Sequence, residues 1–113
     1  MNDNEKIFPL PVKSNKNGTL VKELTATEYY RQISEEVLEA YKAANNAEVL
    51  KIMHTNGCGQ CAEFIIDNEA EELVDIITCC ITRLELLGYD EDERQKLYQA
   101  VNEKNRKRGY FED

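Results

Sequence analysis

No stretch of this sequence approaches the ~20 consecutive apolar residues that a membrane-spanning helix needs, although 42% of its residues are hydrophobic. The opening residues, Met1-Asn2-Asp3-Asn4-Glu5-Lys6, lack the basic segment and following apolar stretch of a secretory signal. The expectation is a cytoplasmic protein that does not associate with membranes. Basic residues are in deficit, with 14 Lys and Arg against 22 Asp and Glu and a net charge of −8. That balance disfavours the basic footprint through which proteins grip a nucleic-acid backbone, and it suits a protein that gathers carboxylates around a cation. The four cysteines, Cys58, Cys61, Cys79 and Cys80, are too few for a disulfide framework, and a cytoplasmic setting keeps them reduced. Strand-like alternation, internal repeats and low-complexity tracts are all missing. What remains is a single-domain length of chain with helical patterning.

Both prolines, Pro9 and Pro11, fall in the first 24 residues, next to an Asn/Lys/Gly/Ser-rich stretch from Lys13 to Thr19. Residues 1–24 therefore read as an extended or partly disordered arm, and residues 25–113 as the helical domain. Thr25-Ala26-Thr27-Glu28 fits a capping box, followed by Tyr30, Ile33, Val37, Ala40, Tyr41 and Ala44 at three- and four-residue spacing. This first helix is expected to end near Asn45-Asn46, with a short helical piece from Ala47 to about Met53 and a glycine-containing loop from Thr55 to Gly59. Leu73, Ile76, Ile77, Cys80, Ile81, Leu84 and Leu87 form the seam of a long helix that begins between Ala62 and Asn68 and stops at Gly88. The acidic run Asp90-Glu91-Asp92-Glu93 opens a last helix at the end its dipole favours, and Gly109 closes it. The fold class is all-α, a bundle of about four helices. A chain this short is marginal in burial, so a second subunit is expected to complete the bundle.

Two acidic motifs stand out. Glu36 and Glu39 lie at i and i+3 on the first helix, and Glu72 and Asp75 do the same on the second, so each pair shares a helix face. At ~100° per residue both pairs fall on the same flank of their apolar stripes. Helices packed through those stripes aim all four carboxylates into one groove. Mutual repulsion there would raise their pKa values, and a divalent ion such as Mg²⁺, which prefers oxygen ligands, relieves it. A solvated acidic face is the competing explanation, since Glu is a good helix former on any exposed surface. Asp75 fits that explanation least, because Asp is a poor mid-helix residue. Lys104-Asn105-Arg106-Lys107-Arg108 forms a basic cluster in an otherwise acidic chain, and the dipole at a helix C-terminus accounts for part of it.

Glu-Glu-Val-Leu-Glu followed by Glu-Glu-Leu-Val-Asp resembles the ExxE…ExxD signature of the MazG-like all-α nucleoside triphosphate pyrophosphohydrolases. The basic segment from Asn102 to Tyr110 is similar to the motif on that superfamily's last helix, so the resemblance spans roughly Glu28 to Tyr110. The interval between Glu39 and Glu72 is longer than is common in the family. The resemblance implies cleavage of a nucleoside triphosphate between its α- and β-phosphates. It also implies Mg²⁺, with Mn²⁺ as a substitute, held by Glu36, Glu39, Glu72 and Asp75. Glu35 is implied to orient or activate the attacking water, with Glu36 beside it as a catalytic candidate. Lys104, Asn105 and Arg108 are implied to contact the phosphate tail, and the assembly is implied to be a homodimer or tetramer.

Outside that resemblance, His54, Cys58 and Cys61 form an H-x₃-C-x₂-C arrangement that would hold zinc if Cys79 or Cys80 supplied a fourth ligand. Tyr29, Tyr30, Tyr41 and Tyr98 are candidates for base stacking, for the core or for an interface. The rival functional reading is a non-catalytic helical module, oligomerising or regulatory, that retains the fold without turnover.

Overall fold

The computed structural model describes residues 6–55 and 59–111. The chain is mostly helical, at 71%, and three α-helices and no strand occur among the described residues. They are α1 (Ala26–Thr55), α2 (Gly59–Leu86) and α3 (Glu91–Lys107), preceded by a single 3₁₀ turn at Val21–Glu23. The chain divides into two compact units, Met1–Thr82 and Arg83–Asp113.

The helix count is lower than the sequence patterning suggests, because α1 runs through Asn45-Asn46 without a break. Asn in a helix interior costs only a few tenths of a kcal/mol, up to ~0.7. The neighbours Ala43, Ala44, Ala47 and Glu48 are strong helix formers, and no Gly or Pro intervenes before Gly57. The expected short helix at 47–53 is thus the C-terminal part of α1. α2 likewise starts earlier than expected, at Gly59.

In the first unit the start of α1 is the expected capping box: the Thr25 hydroxyl accepts from Glu28 N–H at 3.1 Å, and Glu28 Oε1 accepts from Thr25 N–H at 2.9 Å. The capping bonds hold the Glu28 carboxyl below its ordinary pKa. Tyr29 near the start of α1 donates to the Cys79 carbonyl, whereas Glu36 and Glu39 further along meet Glu72. Progress along α1 is therefore retreat along α2, and the two helices are antiparallel.

The stripe of α1 that packs inside the unit is Tyr29, Ala40 and Ala43, all buried, with Ile33 and Glu36 half-buried between them. Of the stripe the sequence pattern favours, Ala40 is buried and Ile33 and Ala44 are half-buried, whereas Tyr30, Val37 and Tyr41 are exposed at 54%, 49% and 63%. On α2, Ile81 is buried while Leu73, Val74 and Ile77 stay about half exposed. Among the described residues, α1 and α2 thus each carry apolar side chains that are covered and others that stay exposed.

Residues 13–21, expected to be extended or disordered, fold back on themselves. Ser14 and Leu20 form an antiparallel bridge, Val21 N–H donates to the Lys13 carbonyl at 3.0 Å, and Asn15 N–H donates to Thr19 at 2.9 Å. Asn15 Oδ1 accepts from the N–H groups of Asn17 and Thr19, and Gly18 takes the positive φ of 83° that the turn demands. This segment is tied to the helices by the buried Val21, by a 3.0 Å hydrogen bond from Val12 N–H to Oγ1 of the fully buried Thr82, and by side-chain bonds from Asn15 to Gln32 and from Lys16 to Glu39.

In the second unit, Gly88 at φ 96° closes α2. Its N–H reaches Glu85 and the N–H of Tyr89 reaches Leu84, the paired bonds of a Schellman motif. Gly109 ends α3 with the same pattern, bonding to Arg106 while Tyr110 bonds to Asn105. α3 starts at Asp90, whose side chain accepts from Glu93 N–H at 2.9 Å. Its first turn is acidic and its last basic, matching the helix dipole. Arg94 is buried and donates to the Tyr89 carbonyl at 2.7 Å and to the Glu85 carboxylate. Asp90→Ala should cost about 0.5–2 kcal/mol, the usual loss for an acidic N-cap, measurable as a lower denaturation midpoint with an unchanged slope.

Candidate metal centre

Glu36 and Glu39 project from α1 toward Glu72 of α2, and one carboxylate oxygen from each lies within 4.8 Å of the other two. Helical spacing explains the pair on α1, and the antiparallel packing of α2 brings Glu72 across to it. Asp75 is one turn along from Glu72 and lines the same cleft, though it is not within that distance of all three. Glu35 also lines the cleft. So the first unit places Glu35, Glu36, Glu39 and Asp75 around one opening, and Glu72, which does not line it, comes within 4.8 Å of Glu36 and Glu39.

The cleft encloses about 430 Å³ and draws its walls from α1 (Glu28, Arg31, Gln32, Glu35, Glu36, Glu39), from α2 (Asp75, Thr78, Cys79) and from the N-terminal loop (Asn15, Lys16, Asn17). Burial raises the pKa of Glu36, and the charges of Glu39, Asp75 and Glu72 raise it further. Glu72 is also raised, first by burial and then by Glu39 and Asp75. Glu39 moves the other way, because Lys16 Nζ donates to its Oε1 at 2.9 Å. The same contact raises Lys16. Burial, with Glu36 nearby, pushes the Cys79 thiol up, so it is not poised as a thiolate.

Whether a divalent cation suits this donor set turns on Glu72. Its Oε2 is buried and has no hydrogen-bond partner among the described residues, an arrangement that costs free energy until something cationic or donating meets it. A carboxylate with one buried oxygen, brought within 4.8 Å of two further carboxylates, fits Mg²⁺ or Mn²⁺, which take oxygen ligands and keep several waters.

Lys104, Asn105 and Arg108 belong to the second unit. Lys104 and Arg108 are exposed at the end of α3, Asn105 is half-buried, and Arg106 pairs with Glu103 and lies over the Phe111 ring. Of the tyrosine candidates, Tyr29 is core, Tyr30 and Tyr41 are exposed, and Tyr98 is half-buried in the second unit. The zinc arrangement falls on Cys58 and on the side chains of His54 and Cys61, which lie outside the described residues. Cys79 faces the carboxylate cleft, and Cys80 is exposed rather than part of the core.

Several cleft residues were readable from the helical period. Gln32 is one turn before Glu36, and Cys79 one turn after Asp75. Lys16 carries no such signal. It is 23 residues from Glu39, in a segment without periodicity, and only the folded loop brings the two together.

No protein-family model matches this chain, and no curated protein or solved structure matches it either.

Proposed function

We propose that this protein is a Mg²⁺-dependent nucleoside triphosphate pyrophosphohydrolase that releases a nucleoside monophosphate and pyrophosphate. The observation that carries the reading is the convergence of Glu36, Glu39 and Glu72 to within 4.8 Å beside Asp75, on the motifs that resemble the MazG-like enzymes. Bound at these carboxylates, the metal would polarise the phosphoryl oxygens and lower the pKa of its water. Glu36, Glu39, Glu72 and Asp75 hold it in this proposal. Glu35 accepts a hydrogen bond from the attacking water and orients it toward the α-phosphorus. As the water oxygen bonds to that phosphorus its proton passes to Glu35, the bond from phosphorus to the bridging oxygen breaks, and pyrophosphate leaves with the electron pair. The resemblance further assigns Lys104, Asn105 and Arg108 to the phosphate chain.

The decisive experiment is pyrophosphate release from a panel of nucleoside triphosphates, with Mg²⁺ and with chelator. Hydrolysis of one or more substrates with Mg²⁺ alone supports the proposal, and no hydrolysis of any sinks it. A cytoplasmic nucleotide pool, cleared of damaged members or held at a set level, is the setting that goes with this activity.

The uncovered stripes, Tyr30, Val37, Leu38 and Tyr41 on α1 and Leu73, Val74 and Ile77 on α2, support assembly into a homodimer or a tetramer of dimers. Tyr30, Val37, Leu38 and Tyr41 stand at i, i+7, i+8 and i+11, and Leu73, Val74 and Ile77 at i, i+1 and i+4, spacings that keep each set on one helix face. Light scattering on the purified chain should return twice or four times the 13.1 kDa of the monomer, and Tyr41→Glu with Leu73→Glu should shift it to monomer. These stripes also favour the second reading, a helical oligomerising module without turnover. That reading predicts the same oligomer with neither hydrolysis nor stabilisation by Mg²⁺.

A further inference from the structure

Lys16 is a basic side chain that the structure joins to the carboxylate cluster through Glu39, and the arrangement around it is specific. Its backbone sits in the loop closed by the Ser14–Leu20 bridge and the Asn15 side-chain bonds. Asn15 Nδ2 donates to Gln32 Oε1 on α1 at 3.2 Å, and Val12 N–H holds the preceding segment to Thr82. The loop is therefore docked, while the Lys16 side chain stays 61% exposed on four rotatable carbons. It spends its charge on Glu39 Oε1, one of the three oxygens that approach within 4.8 Å. A divalent ion taking Glu39 as a ligand competes with that ammonium for the same carboxylate.

We propose that Lys16 is a tethered counter-cation that occupies Glu39 in the metal-free protein and turns to the substrate's phosphate chain once a divalent cation takes its place. The inference rests on the pyrophosphohydrolase reading. Three observations make the exchange workable. The loop is anchored independently of the Lys16 side chain, so its release does not require unfolding. The cleft of about 430 Å³ that Lys16 lines leaves room beside the carboxylates for a phosphate chain. Asn15 and Asn17, on the same loop, line that cleft with it, so amide groups flank the ammonium that would meet the phosphates. A lysine serves better than an arginine in such a role, because a compact ammonium on a flexible stem changes partners without a fixed fork geometry to satisfy.

The test is Mn²⁺ binding to the full chain without nucleotide, followed by free-ion electron paramagnetic resonance, for wild type and Lys16→Met. Removing the competitor should tighten Mn²⁺ about two- to fivefold, the range set by an exposed ion pair. The difference should shrink as salt is raised. In steady-state assays Lys16→Met should raise KM for the nucleoside triphosphate about tenfold with kcat little changed, as loss of a charge-assisted phosphate contact requires, and Lys16→Arg should restore part of it. Wild-type Mn²⁺ binding that Lys16→Met leaves unchanged or weakens overturns this inference alone. Unchanged KM in Lys16→Met does the same. Absence of Mn²⁺ binding in both proteins overturns the metal reading as well.

Discussion

Glu72→Gln should lower Mg²⁺-dependent pyrophosphate release at least ~10–100-fold, since even an outer-shell partner of a bound metal costs that much and Glu72 is proposed as a direct ligand. Asp75→Asn should do the same. The loss should come from the metal and not from unfolding. Glu72 is held above its ordinary pKa by burial and by the charges of Glu39 and Asp75, so its ionised form is a liability in the metal-free protein. A carboxyl with a raised folded-state pKa contributes stability below its unfolded value, and that contribution is lost as pH rises through the raised one. Metal-free wild type should therefore become less stable as pH climbs past the ordinary carboxylate range, and Glu72→Gln should flatten that decline. Glu39, lowered by Lys16, contributes with the opposite sign. With Mg²⁺ at about 100 times its Kd, wild type should gain about 2.7 kcal/mol, roughly 10 °C in Tm for a domain of this size. Glu72→Gln should gain little. Wild-type activity in both variants would refute the site.

Tyr29→Ala should be the most destabilising single change in the first unit. Tyr29 is 1% exposed, and its hydroxyl donates to the Cys79 carbonyl at 2.7 Å. It therefore joins α1 to α2 by packing and by a hydrogen bond at the end of the cleft where Gln32 and Cys79 lie. Truncating a buried aromatic to alanine costs about 3–5 kcal/mol, set against a typical total of ~5–15 kcal/mol. Tyr29→Phe isolates the hydroxyl and should cost about 0.5–1.5 kcal/mol. Urea denaturation followed by circular dichroism measures both. A loss below ~1 kcal/mol for Tyr29→Ala would contradict the packing of α1 on α2. Because Glu36 and Glu39 follow Tyr29 on the same helix, Tyr29→Ala should also loosen the carboxylate geometry and weaken Mn²⁺ binding. Tyr29→Phe should leave it intact.

Local chemistry was legible wherever a short window of residues is sufficient. Thr25 and Glu28 cap α1, Asp90 starts α3, and Gly88 and Gly109 stop their helices in the manner their residue types dictate. The i, i+3 pairs Glu36/Glu39 and Glu72/Asp75 were visible because helical period is a property of the sequence. Asn45-Asn46 misleads for the same local reason. Two weak residues resemble a boundary until the helix formers around them are weighed as a cooperative whole.

The choice of inward face was not local. Tyr30, Val37 and Tyr41 are as apolar as the residues that pack inside, and hydropathy does not tell two stripes of one helix apart. Contact between α1 and α2 buries Tyr29 and Ala43 beside Ala40 and leaves Tyr30, Val37 and Tyr41 exposed. The same contact carried Glu72 to Glu36 and Glu39. By itself, then, the sequence determined an all-α chain, the start of α1, the stop of α2, both ends of α3 and the two carboxylate pairs, because propensity, capping and periodicity act within a few residues. Tertiary structure alone decided that three of those carboxylates meet, that Glu72 Oε2 is buried without a partner, and that Lys16 crosses 23 residues to reach Glu39. Those are long-range contacts, and they exist only after the helices have packed and the loop has closed.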